Sequence, residues 1–125
     1  MMQRQRFDPE ASSARAARAF VAAALPDHDG LDTRVALAVS EVASNAILHA
    51  RTPFTVCVVV DPDRVRVEVT DQDPRIPVRQ EYAVDSVTGR GLAIVDQLSD
   101  RWGADGHERD KTVWFEIDLP LVDGS

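Results

Sequence analysis

The stretch Val35-Ala36-Leu37-Ala38-Val39-Ser40-Glu41-Val42-Ala43-Ser44-Asn45-Ala46-Ile47-Leu48-His49 decides the fold. Ser40, Glu41, Ser44, Asn45 and His49 are its only polar residues, and it holds neither Gly nor Pro. The pattern predicts a helix over about Asp32–His49, capped by Asp32 or Thr33 and ended by Thr52-Pro53. A helix apolar on nearly every side is mostly buried, so other elements must cover it.

Those elements flank it. Upstream, Asp8 can cap and Pro9 suits the first turn of a helix over about Glu10–Leu25. Ala14, Ala17, Phe20, Val21 and Ala24 recur there at helical spacing. Downstream, Phe54–Asp61 is rich in Val, and Arg64–Asp71 alternates Val65, Val67 and Val69 with Arg66, Glu68 and Thr70. Asp61-Pro62-Asp63 is the turn of an antiparallel hairpin. Gln72 to Arg90 is polar and irregular, and loops of that length are commonly functional or disordered. A short helix from Gly91 to about Leu98 and strands over about Arg101–Ala104 and Thr112–Leu119 close the order β-α-α-β-β-loop-α-β-β. Partial segregation of helices and strands predicts an α+β, two-layer sandwich, helices on one face of a mixed, mostly antiparallel sheet.

Composition narrows the function classes. A chain of 125 residues fits one domain, taken as 1–125. With 44% hydrophobic and 28% charged residues it reads as globular rather than disordered. A formal charge of −7 argues against general nucleic-acid binding and against a polybasic membrane patch. Apolar runs such as Val56–Val60 are too short to span a bilayer, and Met1–Phe7 lacks the apolar segment of a signal peptide. The single Cys57, inside an apolar strand, reads as a small buried hydrophobe, which fits a reducing cytoplasm. Lys111 is the only lysine among basic residues that are otherwise Arg.

Three polar features remain. Glu41, Asn45 and His49 stand at i, i+4 and i+8 and form one stripe. That stripe fits a solvent-facing edge, or the lining of a cleft in which the Asn45 oxygen meets Mg²⁺ and Glu41 takes a proton. Asp71 continues the inward register of Val65, Val67 and Val69 and needs a donor, which an adenine amine or a backbone turn supplies equally. Gly89-Arg90-Gly91-Leu92 precedes a helix. Its glycines serve as loop punctuation or let backbone N–H groups approach an anion, with Arg90 within reach of a phosphate.

The order of these features resembles a known family. Ser40–Ala50 is similar to the N-box of the GHKL ATPase superfamily, in particular that of bacterial anti-sigma-factor serine/threonine kinases. Asp71 falls where that family has the aspartate of its first glycine box, Gly89–Val95 resembles the second, and Lys111-Thr112-Val113-Trp114-Phe115 looks like the closing strand. The resemblance runs from about Phe7 to Leu119. It implies Glu41 as general base and Asn45 as the Mg²⁺ ligand. It further implies Asp71 as acceptor for the adenine amine and Thr112 as support of the adenine site. Gly89, Arg90, Gly91 and Leu92 become phosphate contacts under a lid formed by the preceding loop. His49 is read as packing or as a charge at the helix end.

The resemblance also implies a cytoplasmic protein that binds ATP and Mg²⁺, holds a sigma factor, and phosphorylates an antagonist protein. The alternative is a non-catalytic ATP-binding module that regulates protein contacts. Homodimers are common among such relatives, and Met1–Phe7 offers a strand for pairing. One departure stands out: Asp71-Gln72-Asp73-Pro74 lacks the glycine two residues after the aspartate. Bulk and negative charge there predict weakened nucleotide affinity.

Overall fold

Strict alternation makes Arg64–Asp71 a two-faced strand. Val65, Val67 and Val69 are buried, and Arg66, Glu68 and Thr70 on the other side are half-buried. The computed structural model describes residues 1–28, 30–74 and 87–120. Within them the order is β1 (Met2–Phe7), α1 (Ala11–Ala22), α2 (Leu31–Asn45), a π turn (Ala46–Ala50), β2 (Phe54–Asp61), β3 (Arg64–Asp71), α3 (Val87–Leu98), β4 (Arg101–Gly106) and β5 (Lys111–Asp118). The sheet order is β1-β2-β3-β5-β4, and every described pairing is antiparallel, so the sheet is not mixed among the described residues.

The core lies between one sheet face and the helices. Val65, Val67, Val69, Val113, Phe115 and Ile117 join Ala17 and Val21 of α1 and Val35, Ala38, Val39, Val42 and Ala43 of α2 in one buried cluster. Phe7, at the end of β1, stacks on Phe54 with ring centroids 5.5 Å apart and meets Phe20 of α1 edge-on at 6.1 Å. β1 is an edge strand whose first five residues, Met2 to Arg6, are exposed. Its Arg4 and Arg6 are the kind of charge that discourages indiscriminate edge pairing.

Several expected boundaries move. α1 starts after Glu10, which has extended backbone, so Asp8 is not the cap; its carbonyl instead accepts the Glu10 N–H at 2.8 Å. α2 is entered from Gly30 in the left-handed region, at φ 74, rather than from Asp32 or Thr33. Gly needs no Cβ clearance there, and Asp32 then sits in the first turn, where negative charge is favourable. α2 is also less enclosed than its apolar content predicts. It packs on α1, α3 and β3, but Leu37 is 44% exposed, and Leu48 in the π turn is 55% exposed. α3 begins at Val87, so Gly89 and Gly91 lie inside its first turns rather than before it. β4 runs on to Gly106, and β5 is displaced by one residue at each end.

The outer sheet face carries an ion-pair lattice. Glu116, only 7% exposed, receives Arg101 Nε at 2.8 Å and Arg66 Nη1 at 2.9 Å, with Arg64 Nη1 at 3.6 Å. Arg66 also binds Glu68 at 2.7 Å and lies 4.3 Å over the Trp114 ring, while Arg101 pairs with Asp118. Trp114 is seated on Gly103, its register partner, where a Cβ would come within 2.8 Å of the indole.

The hydrogen bond from Arg101 holds the Glu116 carboxyl below the ordinary carboxylate range, against the opposing effect of burial and with further help from Arg66. A carboxyl depressed in the folded state contributes stability that is complete above its unfolded pKa, about 4.3, and is lost as pH falls through the folded value. Thermal melts of the wild type and of Glu116→Gln across pH 7 to 3 test this. The variant should start lower at pH 7, and the gap between the two melting temperatures should shrink below about pH 4.

Candidate functional site

Glu41 and Asn45 come from the last turns of α2, one helical turn apart and both half-buried. Ser40, beside them in sequence, serves a different purpose. Its hydroxyl donates to the Ala36 carbonyl at 2.8 Å and accepts from Arg18 Nη1 at 3.0 Å, which fastens α1 to α2. Arg34 donates to the Leu98 carbonyl at 2.7 Å and so ties α2 to the C-terminal end of α3.

The side-chain Nδ2 of Asn45 is fully buried and has no hydrogen-bond partner among the described residues. A buried polar atom without a partner costs free energy, so its survival asks for a reason. An amide can present either its nitrogen or its oxygen at that position by rotating about its last torsion. A bound polar group or a hard cation would satisfy it, and the residues present therefore fit such a ligand. Glu41 likewise has no hydrogen bond or ion pair among the described residues.

His49 lies in a different kind of turn. Beyond Asn45 the helix widens into the π turn, closed by Arg51 N–H on the Ala46 carbonyl at 2.9 Å. Bonds from i to i+5 spread each turn over more residues than the 3.6 of an α-helix. His49, inside this turn, is exposed. Arg51, at φ 58, ends the segment. Thr52 Oγ1 then accepts the Gln72 N–H at 2.9 Å, which binds the end of the helical segment to the end of β3.

Asp71 closes the inward face of β3 and is 4% exposed. Its Oδ1 accepts the backbone N–H of Asp73 at 2.9 Å and Lys111 Nζ at 3.0 Å. Lys111, the register partner of Asp71 on β5, also donates to the Asp73 carbonyl at 3.1 Å. In place of the glycine turn, an Asx-type turn held by the Asp71 carboxylate, plus one ammonium, shapes the chain after β3. In the sequence Lys111 stands out only as the sole lysine. The register Asp71↔Lys111 is what brings it to the site.

Thr112 is not brought to Asp71. It stands one residue further along β5, on the opposite sheet face, where its hydroxyl meets that of Thr70 at 2.8 Å. Gly89, Arg90, Gly91 and Leu92 lie in the first turns of α3, and the surroundings of their side chains fall outside the described residues. Of the loop expected to form the lid, Gln72–Arg90, residues 75–86 fall outside them, and α3 already begins at Val87.

The side chains of Asp71 and Lys111 are 5% and 10% exposed. Removing one partner of a buried pair leaves an uncompensated charge, which costs about 3–5 kcal/mol. Lys111→Met should lose about that much in urea unfolding, and Asp71→Asn/Lys111→Met should recover most of it. Equal losses in the two variants would show that the pairing does not matter.

Comparison with known proteins bears on the family and the fold. The family model of the histidine kinase-like ATPase domain matches residues 7–117. An uncharacterised Streptomyces coelicolor protein, SCO4941, is 44% identical over 57 residues, which cover 43% of this chain and 54% of that one. The crystal structure of the RsbU and RsbW domains of Rv1364c from Mycobacterium tuberculosis superposes with a TM-score of 0.71 at 17% identity, over 97% of this chain and 34% of that one. The chain thus spans about half of the first relative and a third of the second. No helix among the described residues is long and apolar enough to cross a membrane. The N-box stripe, the buried aspartate at the end of β3 and the antiparallel sheet under α2 sit in a chain that belongs to the histidine kinase-like ATPase domain family, whose fold implies ATP binding.

Proposed function

We propose that the protein is an ATP-dependent regulatory switch of the cytoplasm: an anti-sigma factor that phosphorylates a serine or threonine of an antagonist protein. The observation that carries this reading is the buried Asn45 Nδ2, without a hydrogen-bond partner among the described residues, one turn from Glu41, whose carboxylate is unpaired among those residues. A module that only binds nucleotide has no use for a base beside its metal ligand. The matched structure, which holds an RsbW domain next to an RsbU domain, supports the same class at the level of fold.

Each residue then has a task. Asn45 would hold Mg²⁺ through its side-chain oxygen, and the metal, when bound, offsets the charge of the phosphates. Asp71 accepts the adenine amine. Gly89, in the first turn of α3, would offer its backbone N–H to a phosphate and Arg90 its guanidinium, while Gly91 and Leu92, whose N–H groups bond within the helix, would let the phosphates approach closely. Glu41 takes the proton of the attacking hydroxyl at its carboxylate. A new oxygen–phosphorus bond forms at the γ-phosphate, the bridging bond to the β-phosphate breaks, and ADP leaves. Such transfer is mostly positioning and charge stabilisation, within the reach of a small domain. Thr112, facing away from Asp71, supports the site only through its bond to Thr70.

The exposed edge of β1 suits pairing with a second copy, and the partners proposed are a sigma factor and its antagonist, with no nucleic acid. A second reading, a non-catalytic ATP-binding module, draws on the turn after Asp71, where one carboxylate oxygen is already engaged. Transfer of label from γ-labelled ATP to antagonist proteins recovered from the native host separates the two. Glu41→Ala should lower transfer by about 10²–10⁴-fold and keep ATP binding, whereas Asn45→Ala should lose the Mg²⁺-dependent part of binding. Transfer unaffected by Glu41→Ala would remove Glu41 from the base role. ATP binding with transfer to none of the captured antagonists would favour the module.

A further inference from the structure

The valences of the Asp71–Lys111 pair are only partly used. An ammonium has three N–H donors. Lys111 directs one to Asp71 Oδ1 at 3.0 Å and one to the Asp73 carbonyl at 3.1 Å, and the third meets no acceptor among the described residues. Both printed bonds to the Asp71 carboxylate fall on Oδ1, so Oδ2 has no donor among the described residues. Both side chains are almost fully buried. The pair therefore offers one acceptor and one donor next to each other, at the inward end of β3. Asn45 Nδ2 is the only fully buried side-chain N or O atom without a partner among the described residues, so Oδ2 keeps some access from outside, and a ligand edge with an adjacent donor and acceptor can meet it and the ammonium together.

We propose that Lys111 reads the nucleobase together with Asp71. Asp71 Oδ2 accepts from the exocyclic amine of adenine, and the third N–H of Lys111 donates to the ring nitrogen beside it, N1. The proposal rests on the nucleotide reading above and adds to it a specificity-determining residue. The rival account is that Lys111 only neutralises Asp71 and shapes the Asx-type turn, without touching the base. Charge-assisted hydrogen bonds are strong, and a buried site built to donate one rejects an analogue that cannot accept it. The two accounts therefore differ by a measurable factor.

Calorimetric titration of the wild-type chain with Mg-ATP and with the 1-deaza analogue, in which N1 is replaced by a C–H, tests this. The wild type should bind ATP roughly 10- to 100-fold more tightly than the analogue, the weight of one hydrogen bond to a charged group. In Lys111→Met, shown to be folded by circular dichroism, ATP binding should fall to the level of the analogue and the preference should vanish. Lys111→Gln, whose amide still donates to Asp71, serves if the Met variant does not fold, and the preference must shrink there as well. Equal binding of ATP and the analogue by the wild type overturns the proposal and leaves the nucleotide site standing. So does a preference that persists in the folded variants. Tighter ATP binding by Lys111→Met would make Lys111 a competitor of the base and would overturn it too. Failure of the wild type to bind ATP at all would instead remove the nucleotide reading and this proposal with it.

Discussion

Burial of the valine face of the central strands against α2 is the constraint on which the rest of the structure depends. Val65, Val67 and Val69 are at most 2% exposed, as are Val35, Val39 and Val42 across the layer. Each such side chain contributes on the order of 1.5–3 kcal/mol by leaving water. Because strand side chains alternate, this contact also fixes the register, since a slip of one residue would put Arg66 and Glu68 into the core. Register, in turn, decides that Asp71 meets Lys111 and that Thr70 meets Thr112 on the other face.

The candidate site occupies the rim of that contact, where the apolar layer gives way to polar atoms. Two solutions to the cost of burial stand there side by side. Asp71 is answered from within the chain, by a backbone N–H and an ammonium. Asn45 has a buried nitrogen that none of the described residues answers. An internal partner holds a group in place; an open one leaves free energy available to a ligand. The π turn after Asn45 and the bond from Gln72 to Thr52 keep these two ends of the rim in a set relation.

Among the described residues, the helices pack on the other sheet face from these arginines and glutamates, and this face meets its polar groups differently. Glu116 is surrounded by three guanidinium groups, and Trp114 lies between Arg66 and the bare backbone of Gly103. The aliphatic stems and the indole keep this layer dry enough to leave Glu116 nearly buried. Charge on that face serves the sheet, which leaves the helix side for chemistry.

Element order, the antiparallel hairpin of β2 and β3, and the inward placement of Asp71 were legible in the sequence, because periods of 3.6 and 2 are local properties of the chain. So were Glu41 and Asn45, since a carboxylate and an amide stand out on an otherwise apolar helix. Helix starts were less legible. Asp8, Asp32 and Thr33 all have capping chemistry, yet Glu10 and Gly30 hold those places, because the approach of the chain to the sheet sets where each helix begins. The divergence of Thr112 from Asp71 depended on strand pairing. The partner of Asp71 could be identified only when β3 and β5, forty residues apart at that pair, lay side by side. The sequence alone determined which polar groups the chain would carry into its interior. The tertiary structure decided which of them found partners there, because pairing between distant strands is set by packing and register rather than by local pattern.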